Sequence, residues 1–150
     1  MTEEIRLKLL EWAREYHCAA FIQGDPVQFP HRYMRKQDIE ISGLLTALMS
    51  FGNRKQILKK ADELHKLMGT SPYHYVLSRR WEEDFPSGAT HSFYRMLSYA
   101  DFHGYFRRLY TAYTQFGTLE DALKVYSGIP MEKLCAFLEV SAKSPQKKLN

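Results

Sequence analysis

The segment Ser50-Phe51-Gly52-Asn53-Arg54-Lys55-Gln56 holds the residue types best suited to chemistry, and that chemistry is the capture of an anion. Gly52 can take a positive φ and let a ligand backbone approach. Asn53 to Gln56 open a helix, where exposed amides and the helix dipole favour negative charge. Arg54 and Lys55 add full charges at the same place. A phosphate of a nucleic acid fits this set. The same residues also make a plain corner between two helices, with Gly52 as C-cap and Asn53 as N-cap. On residue types alone, both readings stand.

Charge distribution bears on the choice. The net charge is +4, yet residues 27–60 carry Arg32, Arg35, Lys36, Arg54, Lys55, Lys59 and Lys60 against only Asp38 and Glu40. A local excess of this kind attracts phosphate, and it is also what a solvated face looks like. Arg32 is the member outside the corner expected to join it in nucleic-acid contact.

Other chemistry is thinly provided. There is no phosphate-binding glycine loop, no HExxH and no GxSxG elbow. The six histidines (17, 31, 65, 74, 91 and 103) share no ligand spacing with Cys or Asp, so neither a metal nor a cofactor is expected. His65 lies beside an apolar stripe and reads as a satisfied core or boundary histidine. Cys18 and Cys135 form no CxxC pair. Asp38, Glu40 and His31 could do acid–base work in a small-molecule enzyme, although Asp38 is more simply an N-cap and Asp25, before Pro26, a turn former.

These residues must be held by helices. The chain has 150 residues, is 45% hydrophobic and 25% charged, and suits one domain with its own core. Thr2 caps an expected helix from Glu3 to Phe21, with Ile5, Leu9, Trp12, Tyr16 and Ala20 on one stripe. A loop with Pro26 and Pro30 follows. The second helix is expected from Asp38 to Gly52. Ile41, Leu44, Leu45, Leu48 and Met49 fill one face, and Gly43, Ala47 and Ser50 form a face of small residues that lets another backbone come close. Such a helix is buried. It is also too short to cross a membrane.

The third helix is expected from Asn53 to Met68, with Gly69 as its stop and Ile57, Ala61, Leu64 and Met68 inward. Ser71-Pro72 opens a short helix over Tyr73 to Arg79. Trp81 to Thr90 reads as loop, and His91 to Tyr99 as either extended or helical. Asp101 opens a helix to Phe116 with Phe102, Tyr105, Phe106, Leu109, Ala112, Tyr113 and Phe116 on its apolar face. Thr118 caps a short helix to Tyr126. Pro130 opens the last, to about Ala142, with Leu134, Phe137, Leu138 and Cys135 inward. The expected class is all-α, a compact and roughly orthogonal bundle of about six helices. The acidic start, Met1-Thr2-Glu3-Glu4-Ile5, does not read as a signal peptide, and the expected compartment is the cytoplasm.

A resemblance adds to this reading. Asp25-Pro26-Val27, Phe29-Pro30-His31-Arg32-Tyr33, Gln37-Asp38-Ile39-Glu40-Ile41 and Ala47-Leu48-Met49-Ser50-Phe51-Gly52-Asn53-Arg54 look like the opening blocks of the bacterial "domain of unknown function 2400" family. The likeness extends over the whole chain, more weakly through 70–130. Lys147-Lys148-Leu149-Asn150 resembles the start of a block that in the family runs on into an Arg-Trp-Met-Val-Arg type segment and, later, a Pro-Leu-Asp-Thr-His type motif. The resemblance therefore implies the N-terminal portion of a longer protein.

The family is in turn distantly similar to helix-hairpin-helix DNA glycosylases, in which a buried helix ends in a Leu-Ser-x-Gln type corner near the DNA. Leu48 to Asn53 would occupy that corner, with the glutamines replaced by Phe51-Gly52-Asn53. The implied function is a nucleic-acid-binding half-domain, not catalytic by itself, in which Gly52, Asn53, Arg54, Lys55, Gln56 and Arg32 meet DNA. The alternative is a non-enzymatic interaction module, or a homodimer through exposed apolar surface. Its expected marker is the helix over 101–116, where Tyr110 and Tyr113 could lie partly exposed.

Overall fold

A computed structural model describes residues 2–139 of the chain. The fold is all-α with one two-stranded ribbon. Nine α-helices lie among the described residues: α1 (Glu3–Tyr16), α2 (Ala19–Gln23), α3 (Lys36–Met49), α4 (Arg54–Met68), α5 (Pro72–Leu77), α6 (Trp81–Asp84), α7 (Tyr99–Phe116), α8 (Leu119–Leu123) and α9 (Pro130–Glu139). The division is finer than six helices because several pieces are a single turn long. Packing separates two compact units, Met1–Pro72 and Tyr73–Asn150. The expected end of the last helix, at Ala142, and the Lys147–Asn150 block lie outside the described residues.

In the first unit, α3 and α4 carry the core. Ile41, Leu45, Met49, Ala61 and Leu64 are fully buried, as the helical spacing requires. Asn53 caps α4 and Gly69, at φ 67°, stops it. The ends of α3 differ from expectation. Arg35 is its N-cap, so Asp38 lies inside the first turn, buried, where it accepts a hydrogen bond from Ser71 Oγ at 3.0 Å. The helix stops at Ser50 rather than Gly52, because Phe51 N turns back to Met49 O at 2.8 Å. Gly52 then takes φ 99°, which a side chain would resist.

The expected first helix is broken at His17–Cys18 into α1 and α2. No residue of α1 is buried. Its stripe residues Ile5, Leu9, Trp12 and Tyr16 are each about half exposed. The apolar face that the periodicity predicts is there, and among the described residues nothing in this unit covers it.

The second unit is built on aromatic packing. Phe85 meets Phe93, Tyr99, Phe102 and Phe106 at ring-centroid distances of 5.3 to 5.4 Å, within the range that favours offset and edge contacts. Trp81 is buried and donates from Nε1 to Val76 O at 3.0 Å. That bond explains why Trp81–Asp84 is helical although Pro86 and Gly88 mark the region as loop. Within residues 91–99 the extended alternative holds up to Ser98, and Tyr99 already belongs to α7. β1 (Ser92–Tyr94) and β2 (Leu97–Ser98) pair antiparallel, with Arg95 at φ 52° in the turn. Ser98 and Asp101 then form a capping box that starts α7.

Of the two tyrosines expected to lie partly exposed, Tyr113 is buried, whereas Tyr110 is half-buried with the Arg79 guanidinium 5.4 Å from its ring. Cys135, expected to face inward, is exposed. Among the described residues no helix is long and apolar enough to cross a membrane.

Candidate nucleic-acid interface

The corner between α3 and α4 is set by short-range backbone chemistry. Asn53 Oδ1 accepts from Lys55 N at 3.0 Å and from Gln56 N at 3.3 Å. Two of the amides expected to be available to a ligand are therefore satisfied by the cap itself. The dipole and the side-chain charges remain. Lys55, Gln56 and Lys59 are exposed, and among the described residues neither Lys55 nor Lys59 has an ion-pair partner, whereas Lys60 is paired with Glu63 and Lys66 with Asp62. Lys55 and Lys59 stand one helical turn apart, on the same side of α4.

Arg54 points elsewhere. Its guanidinium approaches the Asp25 carboxylate at 3.6 Å, and the arginine side chain is 57% exposed. Asp25 is itself anchored, because its Oδ1 accepts from Val27 N at 2.9 Å and caps the 3-10 turn Pro26–Gln28. The pair is loose and open to water.

Arg32 is not brought to the corner. It lies against the Phe29 ring, 4.4 Å from the centroid, and its Nη1 reaches Asp62 Oδ1 at 3.3 Å. Asp62 also holds Lys66, and these partners, Lys66 foremost, keep its carboxyl below the usual range. Arg32 is thus engaged in packing and pairing, although its side chain stays partly exposed.

Beside the corner the first unit holds a cleft of about 580 Å³. The expected face of small residues opens onto it: Gly43, Ala47 and Ser50 line it together with Thr46. Among the described residues no atom lies within 4 Å of where a Cβ on Gly43 would stand. Pro26, Val27 and Pro30 supply apolar surface from the preceding loop, and Ile57 from α4. Asp25 and Arg54 stand in the lining as its charged pair. Thr46 is buried, at 3% exposure, and among the described residues its Oγ1, itself closed to water, has no hydrogen-bond partner. The sequence offered no signal for Thr46, which reads as one polar residue on an apolar helix.

The carboxylates and imidazole weighed for acid–base work do not meet here. Asp38, Glu40 and His31 are absent from the cleft lining. His65 is a core residue. Its ring stacks on Phe29 at 4.6 Å, its Nδ1 lies 2.6 Å from Ala61 O and its Nε2 lies 2.7 Å from Ser42 Oγ. A carbonyl can only accept, so Nδ1 carries the proton and Nε2 accepts from Ser42. Burial lowers its pKa from 6.5 to about 4, with the nearby Arg32 charge acting in the same direction.

No curated protein and no solved structure matches this chain. A family model described as "Protein of unknown function (DUF2400)" matches residues 25–149, and the chain belongs to that family.

Proposed function

We propose that the chain binds the sugar–phosphate backbone of DNA through the Gly52–Gln56 corner and takes no catalytic part by itself. The observation that carries this is the pair Lys55 and Lys59, exposed and, among the described residues, without carboxylate partners at the first turns of α4. Arg54 adds a third cation that can exchange Asp25 for a phosphate. The resemblance of the Leu48–Asn53 corner to that of helix-hairpin-helix DNA glycosylases supports the same reading. It suggests a bacterial, cytoplasmic protein that acts on DNA in repair or processing. Asn53 serves as the cap, Gly52 shapes the turn, and Gln56 flanks the contact. Arg32 is held at Asp62 and contributes only to the general field.

Fluorescence anisotropy with labelled duplex and single-stranded DNA at low salt tests this. Three phosphate contacts give a slope of roughly −2.7 in log K against log salt on duplex. Replacing Lys55 and Lys59 by Ala should reduce that slope by about 2. No salt-dependent binding, or an unchanged slope in the double variant, overturns the proposal.

A second reading rests on α1. Its half-exposed stripe of Ile5, Leu9, Trp12 and Tyr16 supports a helical interaction module, with a homodimer as its simplest form. It replaces the face expected on α7, where Tyr113 is buried. Light scattering tests it: a monomer at all concentrations rules out the homodimer.

A further inference from the structure

Ile5, Leu9, Trp12 and Tyr16 follow one another along α1 at intervals of four, three and four. That spacing keeps one stripe facing a partner helix over two heptads. Each of the four is about half exposed, and no residue of the helix is buried. The Tyr16 ring meets the exposed Phe21 edge-on at 5.7 Å, which prolongs the apolar surface into α2. α1 also lies ahead of residues 25–149, the span that the family model matches.

The stripe alone does not say what covers it, but its flanks do. α1 holds Glu3, Glu4, Glu11 and Glu15 against Arg6, Lys8 and Arg14. A helix that lies on an anionic membrane or on nucleic acid carries an excess of Lys and Arg on its polar face, and this one has none. The charges suit a protein surface instead. Charges along the edges of such a stripe set the partner and its direction. Lys8 and Glu15 stand on one edge, seven residues apart, and Arg6 and Ala13 on the other. When a second α1 runs antiparallel, Leu9 packs on the second copy's Trp12 and Ile5 on its Tyr16. Lys8 of each copy then falls beside Glu15 of the other. A parallel pair sets Lys8 beside Ala13 and forms no ion pair along either edge. The helix is therefore complementary to itself in one direction only. Within the chain Lys8 reaches Glu11 at 2.8 Å, an exposed pair of little strength, and among the described residues Glu15 has no ion-pair partner.

We infer that two copies of this chain associate through α1, antiparallel, with Lys8 of each beside Glu15 of the other. The inference rests on the second reading above and deepens it by naming the partner and its direction. Two identical helices paired in this way are related by a twofold axis, so association stops at two. Four side chains from each copy make a small interface, and the dimer dissociates in the micromolar range.

Sedimentation and light scattering of the full chain over micromolar concentrations test this, and every position to be changed is exposed. The wild type should pass from monomer to dimer. Leu9→Glu sets a carboxylate against the second copy's Trp12 and should leave a monomer. Glu15→Lys and Lys8→Glu each bring like charges together twice and should weaken the dimer roughly tenfold. The double swap, Lys8→Glu with Glu15→Lys, should restore it to within about twofold of the wild type. A monomer at every concentration overturns both the pairing and the homodimer reading. A dimer that Leu9→Glu leaves intact keeps the homodimer and overturns pairing through α1. A dimer that Leu9→Glu disrupts, but that the single charge reversals leave unchanged or the double swap fails to restore, overturns the antiparallel arrangement.

Discussion

Acidification should destabilise the first unit through His65 alone by an amount that the structure fixes. The imidazole is 3% exposed, both its nitrogens are occupied, and its pKa falls from 6.5 to about 4 on folding. Between those two values the unfolded chain binds a proton there and the folded chain does not. Stability therefore drops as the pH falls through that window and is unaffected by this group above 6.5. Over the whole window the loss is about 3 kcal/mol, a large part of the 5–15 kcal/mol typical of a domain. Urea unfolding at closely spaced pH values, on wild type and on His65→Gln, isolates the effect. All other titrating groups cancel in the difference. The advantage of the wild type at pH 7 should shrink by about 3 kcal/mol by pH 4. A difference that stays flat across the window refutes the reasoning. So does a His65 ring that titrates near 6.5 in the folded chain by NMR.

Three further substitutions follow from the same geometry. Gly43→Ala should stabilise the chain by about 0.5–1 kcal/mol, seen as a higher melting temperature, since the added methyl meets no neighbour. Thr46→Val should leave stability unchanged or raise it by about 1 kcal/mol in a denaturant titration, because the hydroxyl it removes is unpartnered. Asn53→Ala should cost about 1 kcal/mol, read in the same titration, as two amides at the start of α4 lose their acceptor.

Where one signal sufficed, the sequence was readable. Asn53, the inward spacing of Ile57, Ala61, Leu64 and Met68, and Gly69 place α4 to the residue, because cap, period and stop all act within one helix. The burial of α3 was readable for the same reason, since no charge lies between Ile41 and Phe51. Its ends were not. Asp38 and Gly52 are the best cap types nearby, yet Ser71 engages Asp38 from 33 positions away. The small face of α3 shows the limit most clearly. Gly43, Ala47 and Ser50 predict a close approach, but whether a helix, a loop or open space faces them depends on where Pro26–Pro30 is carried. Likewise the α1 stripe announces an apolar face and says nothing of its cover.

The geometry of the corner sets how the proposed phosphate contacts would be made. Asn53 already satisfies two amides of α4, so a phosphate at this terminus must lean on side-chain charge rather than on backbone donors. Lys55 and Lys59 supply that charge without first releasing a partner. Arg54 must give up Asp25: the exposed pair at 3.6 Å is worth only about 0–1 kcal/mol, but Asp25 stays anchored on Val27 N and repels an anion there, so Arg54 is the weaker contributor. Contacts of this kind position a strand and carry no sequence information. On that proposal, raising the salt should weaken the binding of all strands alike.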